Sequence, residues 1–356
     1  MTVRVGVIGT GMIGQDHIRR ITGVLAGGAV VAVYDVDAAR AGQVAAGLRG
    51  ATVHASAGDL IADPNVDAVL VASWGAAHEE SVLAAIAAGK PVFCEKPLAP
   101  DPQACLRITG AEVAQRRRLV QVGFMRRYDA GYLALKATLE DGRIGAPLLM
   151  HCAHRNPSAP LYGFTTDLII SDSAVHEIDV VRWLFGEEIV ATQVLTPRRS
   201  RRAAPDLQDP LIVLLELANG VLVDDEVFVN AGYGYDVRGE IVGESGTAAL
   251  TDPGEVTVTA AGQRTTVPDG RTQAPPQTPP RGRRVPADWQ ERFARAYDAE
   301  LQDWLRAAGE GTAAGPSAWD GYAAAAVTDS ALTALRTGQR TPVSLAAQPD
   351  FYAKAG

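Results

Sequence analysis

The chain begins with a regular rhythm. Short apolar, β-branched runs at residues 3–8, 30–34, 52–54, 68–72, 91–94 and 119–122 are bounded by turn residues. Between them, residues 12–25, 38–48, 78–88 and 102–117 place apolar side chains three and four apart. A continuous apolar run of four to eight residues suits a strand buried on both faces, and three-to-four spacing suits an amphipathic helix. The alternation predicts a parallel sheet wound with helices on both faces.

The rhythm changes after residue 122. A helix is predicted at 130–141 and a strand at 147–153, followed by a helical stretch, SDSAVHEIDVVRWL, at 171–184. Strand-like runs then follow one another at 190–195, 211–217, 221–229, 239–242, 248–251 and 256–259, with little helix between them. Turns such as Asn219-Gly220 suit antiparallel neighbours. Residues 274–286, APPQTPPRGRRVP, read as a long loop, and two helices at 288–308 and 317–337 close the chain. The expected architecture is α/β. A doubly wound parallel domain covers 1–122, and an α/β domain with a large open, mainly antiparallel sheet covers 123–356. No internal repeat is visible.

Composition narrows the class. At 356 residues, with 47% hydrophobic and 21% charged, the chain suits two globular domains. A net charge of −8 argues against a nucleic-acid partner, which would need a basic face. The arginine runs at 116–118, 198–202 and 281–284 are short and read as solvated loops or helix ends. Three cysteines, Cys94, Cys105 and Cys152, match no metal or redox spacing and suit the reducing cytoplasm. The first residues, MTVRVGVIGTG, read as a strand and not as a signal peptide. No apolar run reaches the ~18 residues of a membrane span.

The first turn carries chemistry. Gly9-Thr10-Gly11-Met12-Ile13-Gly14 is a G-x-G-x-x-G pattern between a predicted strand and a predicted helix. In that setting Gly9 makes the tight turn, Gly11 admits a pyrophosphate and Gly14 lets helix pack on strand. The helix N-terminus, at Met12 and Ile13, offers amides to the phosphates. Asp35 ends the next strand, 21 residues after Gly14, where it can accept both ribose hydroxyls. Asp37 follows, and no cation occurs until Arg40. A 2′-phosphate would meet two carboxylates, so NAD is expected over NADP.

Two further stretches suggest catalysis. At about 100° per residue, Asp172, His176 and Asp179 span roughly 60° of a helix, away from Ala174, Ile178, Val181 and Phe185. A capped helix with an ordinary polar face explains this as well. Zinc would need further Cys or His ligands at a recognised spacing, which the sequence lacks, so no metal is expected. Glu95-Lys96-Pro97 directly follows a strand, at the end where doubly wound sheets bind ligands. Pro97 holds Lys96 extended.

Taken together, the GTGMIG turn, Glu95-Lys96-Pro97 and the Asp172–His176 pair resemble the Gfo/Idh/MocA family of sugar and polyol oxidoreductases. GFMRRYDAGY (123–132), HCAHRNP (151–157), the 171–184 stretch, DDEVFVNAGYGYD (224–236) and AWDGYAAA (318–325) extend the likeness over almost the whole chain, toward the family's inositol dehydrogenases. The resemblance implies Lys96, Asp172 and His176 as the catalytic group. It puts Arg126, His154, Asn156 and Tyr235 near a polyol. It puts Ser73, Trp74 and His78 beside the cofactor, together with Arg40, Glu95 and Lys96. It further implies oxidation of myo-inositol at C2 to the 2-keto compound, and a homo-oligomer, commonly a tetramer, built on the second sheet. Scyllo-inositol, D-chiro-inositol or a pyranose are alternative substrates, because SAPLYGFT (158–165) departs from the more polar loop of close relatives. A dinucleotide sensor without catalysis is the alternative of a different class.

Overall fold

The structure is a computed structural model that describes residues 2–159, 163–252, 255–267 and 285–353. Most of the predicted loop at 274–286 therefore lies outside the described residues, as do residues 160–162 of the 158–165 loop.

The N-terminal rhythm forms β1 (Val3–Ile8), α1 (Met12–Gly23), β2 (Gly28–Tyr34), α2 (Ala38–Ala46), β3 (Thr52–Val53), α3 (Ala57–Ala62), β4 (Ala68–Val71), α4 (His78–Ala87), β5 (Val92–Glu95), α5 (Pro102–Gln115) and β6 (Val120–Gly123). The six strands pair in the order β3-β2-β1-β4-β5-β6, all parallel. All four residues of β4, β5 and β6 are buried, the polar Glu95 and Gln121 among them, so these strands are covered on both faces. Local caps set the helix starts. Asp101 accepts from the Ala104 amide at 2.8 Å, and Pro102 occupies the first turn of α5.

The second half supplies α6 (Ala130–Glu140), β7 (Pro147–Arg155), α7 (Thr166–Leu168), a π-helical turn at Ile169–Ala174, α8 (Val175–Phe185), β8 (Ile189–Leu195), β9 (Leu211–Leu217), β10 (Leu222–Phe228), β11 (Asp236–Gly243), β12 (Gly246–Asp252), β13 (Glu255–Ala260), β14 (Gln263–Val267), α9 (Trp289–Gly309), α10 (Ala318–Thr337) and β15 (Thr341–Pro342). Nine strands pair in the order β14-β13-β12-β11-β7-β10-β9-β8-β15. Every neighbouring pair is antiparallel except β7 with β10. β9 turns into β10 at Asn219-Gly220. Gly220 there takes φ +87, and the Asn219 side chain accepts from the Val221 amide at 3.1 Å.

The chain divides into two compact units: residues 1–124, 297–326 and 345–356, and residues 125–296 and 327–344. Leu301, Trp304 and Leu305 of α9 pack with Val3, Val5, Val7, Ile18, Ile21 and Phe93 in the core of the first. A Cβ on Gly28 would lie 2.9 Å from the Leu305 methyls, so α9 sits hard against β2. In the second unit β7 alternates cleanly. Met150, Cys152 and His154 are buried, and His151 on the opposite face is exposed. Among the described residues no helix is long and apolar enough to cross a membrane.

Candidate active site

The expected site residues fall into two sets, one in each unit. In the first, the glycine turn behaves as its spacing predicts. Gly9 takes φ +94, and a Cβ there would lie 2.4 Å from the Ser73 amide nitrogen. A Cβ on Gly14 would lie 2.0 Å from the Gly9 carbonyl oxygen, so only glycine lets α1 approach β1. A Cβ on Gly11 meets nothing within 4 Å. That open space is what a pyrophosphate needs for close backbone approach. No side chain caps α1, and no acidic residue lies in its first turn, at Met12 and Ile13.

Asp35 is buried at the end of β2 and fully engaged. Its Oδ2 accepts from the Thr10 amide at 2.6 Å and the Thr10 hydroxyl at 2.9 Å, and its Oδ1 from the Asp37 amide at 2.9 Å. Arg40 adds Nη2 at 2.6 Å and Nε at 3.2 Å. Burial alone would raise the pKa of Asp35. The Arg40 guanidinium and the Asp37 and Thr10 donors outweigh it and hold the carboxyl well below the usual range. Two carboxylate oxygens offer about four lone-pair sites. A ribose diol would therefore have to displace Arg40, whose side chain is 40% exposed, and not the buried Thr10, to reach Asp35.

Two loops lie beside this cradle in the same unit. The loop after β4 carries Ser73 and Trp74. Ser73 Oγ is buried without a hydrogen-bond partner among the described residues, and Trp74 is 84% exposed. An orphaned hydroxyl and a bare indole suit a polar, planar ligand. The turn after β5 carries Glu95, Lys96 and Pro97, with a cis Lys96-Pro97 peptide. Glu95 Oε2 accepts from the Lys96 amide at 3.1 Å, and Oε1 pairs with His17 Nε2 at 2.7 Å. His78 Nδ1 lies 2.8 Å from the Pro97 carbonyl oxygen, and Nε2 2.9 Å from that of Ser73.

In the second unit the helix expected at 171–184 begins differently. Asp172 is exposed and sits in the π turn, whose period is not 3.6, so the simple 100° wheel breaks between Asp172 and His176. His176 and Asp179 are among the nine buried residues of α8. Asp179 leaves the expected polar face altogether. It binds Arg127 through both oxygens, at 2.9 and 2.5 Å.

Arg126, His154 and Tyr235 are brought together. Arg126 Nη2 donates to His154 Nδ1 at 3.1 Å, and His154 Nε2 lies 3.2 Å from the Tyr235 hydroxyl. His154 Nδ1 also lies 3.1 Å from Glu177 Oε2, so this nitrogen faces a guanidinium donor and a carboxylate acceptor at once. Burial pushes the Tyr235 pKa up to about 12, which keeps its hydroxyl neutral. The His154 ring lies 6.3 Å from that of His176, centroid to centroid. Asn156, just past β7, has its main chain tied to Phe228 and Ala231, while its Oδ1 is buried without a partner among the described residues.

Glu177 completes this group, and the sequence reading passed over it. Both it and Arg126 are 1% exposed, and they form an ion pair. Burial alone would raise the pKa of Glu177. The charges of Arg126 and His154 reverse that and leave it lowered. Asp225, opposite Cys152 on β10, is its counterpart. It is fully buried, neither oxygen has a hydrogen-bond partner among the described residues, and burial with the nearby Glu177 charge pushes its pKa far up. The pKa values of the two carboxyl groups are thus driven in opposite directions within a single polar cluster. Among the described residues no group of three His, Cys, Asp or Glu could hold a metal ion.

Comparison with known proteins extends over both sets. Residues 3–124 match the profile described as "Oxidoreductase family, NAD-binding Rossmann fold", and residues 136–345 match "Oxidoreductase family, C-terminal alpha/beta domain", both of Gfo/Idh/MocA. The chain is 53% identical to inositol 2-dehydrogenase 3 of Saccharopolyspora erythraea, over 99% of this chain and 98% of that one. It is 51% identical to inositol 2-dehydrogenase of Ralstonia nicotianae, over 99% of each. Among solved structures, myo-inositol dehydrogenase from Lactobacillus casei, in complex with NAD(H) and myo-inositol, superimposes with a TM-score of 0.89. It is 36% identical, over 99% of this chain and 100% of that one.

Proposed function

Because the chain belongs to the Gfo/Idh/MocA oxidoreductase family, we propose that it oxidises myo-inositol at C2 to the 2-keto compound with NAD. The observation that carries this is end-to-end likeness to inositol 2-dehydrogenases, together with an intact glycine cradle and Asp35. The first unit takes the cofactor role, and the second takes the substrate and assembly roles.

Bound NAD supplies the hydride acceptor. In this reading Gly9, Gly11 and Gly14 shape the turn for the pyrophosphate, and Asp35 holds the adenosine ribose. His176 removes the hydroxyl proton, since an imidazole titrates near neutral pH. Asp172 favours the imidazolium that results. Lys96 donates to the substrate oxygen and stabilises developing alkoxide. Arg126, His154, Asn156 and Tyr235 are assigned to the remaining hydroxyls. The unpartnered Oδ1 of Asn156 supports its part directly. The short contacts among Arg126, Glu177 and His154 give Arg126 the further task of orienting His154.

The open face of the second sheet supports a homotetramer. Ile212, Leu214 and Phe228 stay half-buried there, and Leu222 is 48% exposed. Three free, buried cysteines support a cytoplasmic setting.

Following NADH formation over a panel of myo-, scyllo- and D-chiro-inositol and glucose tests the reading. The highest kcat/KM is expected with myo-inositol. A higher value with another polyol moves the assignment to that substrate. Folded protein that binds NAD and yields no NADH with any of them refutes the enzyme reading in favour of a sensor.

A further inference from the structure

His78 stands out because the cofactor reading leaves it little to offer a ligand. It begins α4, its ring is 1% exposed, and both nitrogens face main-chain carbonyls. One carbonyl belongs to Ser73 in the loop after β4. The other belongs to Pro97, the residue after Lys96. A second contact joins the same two segments. A Cβ built on Gly75 would meet the Pro97 ring at 3.2 and 3.4 Å. So the loop of Ser73 and Trp74 and the turn of Lys96 are held together at two points within the first unit.

We propose that His78 is a positioning residue, which fixes the main chain of the Lys96 turn against the Ser73 loop and thereby sets where the Lys96 ammonium lies. This rests on the assignment of Lys96 as a catalytic residue. Carbonyl oxygens only accept, so a neutral ring bonds one of them at a time and an imidazolium bonds both. Burial draws the pKa of His78 down, while the two carbonyls and Glu95 oppose it and Lys96 adds to it. From the other side, the Glu95 carboxylate holds the Lys96 amide and is itself anchored by His17. The lysine thus stands on a segment gripped from both directions. A long, flexible side chain gains most from such a mount, since a misplacement of about 1 Å can cost 10²-fold in rate.

A double-mutant cycle tests this. His78→Ala and Lys96→Ala are made singly and together, and kcat and KM are measured at enzyme concentrations that keep residual turnover readable. His78→Ala is expected to lower kcat by about 10- to 100-fold with a smaller change in KM for the polyol. In the Lys96→Ala background the same substitution should change kcat less than about twofold, because no lysine remains to be placed. Should His78→Ala not fold, Gly75→Ala presses on Pro97 at the same junction, and the same dependence on Lys96 is expected of it. An equal loss in both backgrounds overturns the proposal and makes His78 a general support. Wild-type kcat in His78→Ala overturns it outright. Wild-type turnover in Lys96→Ala alone is a different result: it refutes the catalytic assignment of Lys96, and this proposal falls with it.

Discussion

Glu177→Gln is the sharpest probe of the polar cluster under α8. The substitution keeps the side chain's volume, so it opens no cavity. It removes one charge from an ion pair in which both residues are 1% exposed. Arg126 would then be buried among neutral partners, with the Tyr132 hydroxyl at 3.4 Å, His154 at 3.1 Å, the Phe293 ring and an amide around it. Stranding one member of a buried pair costs about 3–5 kcal/mol. That is a large share of the 5–15 kcal/mol that typically separates folded from unfolded states. Removing both charges, in Arg126→Met with Glu177→Gln, should cost less than the two single changes added together, by up to about 3 kcal/mol. Because the chain has two compact units, one global unfolding curve mixes their contributions. Hydrogen exchange of peptides from β7 and α8 reads the second unit directly. Glu177→Gln should raise their exchange by about two to four orders of magnitude, and peptides from β1 and β4 should not change. A loss below ~1 kcal/mol, or an additive double variant, would refute the claim that this pair is tightly coupled.

Other outcomes follow from the same coordinates. His176→Ala should bind NAD and lose turnover by roughly 10²–10⁴; full activity would return it to an ordinary buried histidine. Asp35→Ser with Val36→Arg should shift preference toward NADP. Freed from its carboxylate, Arg40 should take part, so adding Arg40→Ala should undo some of that gain in KM for NADP. Asp225, with a raised native pKa, keeps a proton that the unfolded chain releases near pH 4. Stability therefore falls as pH rises above that value, and Asp225→Asn should flatten that fall in denaturation curves taken between pH 5 and 8. Light scattering should give four times the chain mass; a monomer would refute the assembly.

The parts legible in the sequence were those that local physics dictates. The glycine turn, β1 and β9 follow from spacing alone, and α9 and α10 start within a residue or so of where their periodicity places them. Short elements such as α3, β14 and β15 carry too little periodicity to announce themselves. The π turn at Ile169–Ala174 was hidden because one extra residue in a turn leaves no compositional mark. Glu177 and Asp225 were missed for a different reason. A buried charge is recognisable only with its environment, and Arg126 lies 51 positions from Glu177. A carboxylate in the middle of the otherwise apolar face of β10 was the available hint.

The seating of Trp304 and its neighbours in the first unit bears on how the chain comes into being. Synthesis runs from the N-terminus, at about 5–20 residues per second. The six parallel strands are all made by Gly123, yet the side chains that cover Val3, Ile21 and Phe93 arrive with α9, about 180 residues later. For roughly 10–40 s the nascent sheet has its strands but not its lid of Leu301, Trp304 and Leu305. The six-stranded sheet is thus translated well before its core can be completed. A nascent chain halted before residue 301 should be held by chaperones, and one released beyond Gly309 should become protease-resistant through its first 124 residues.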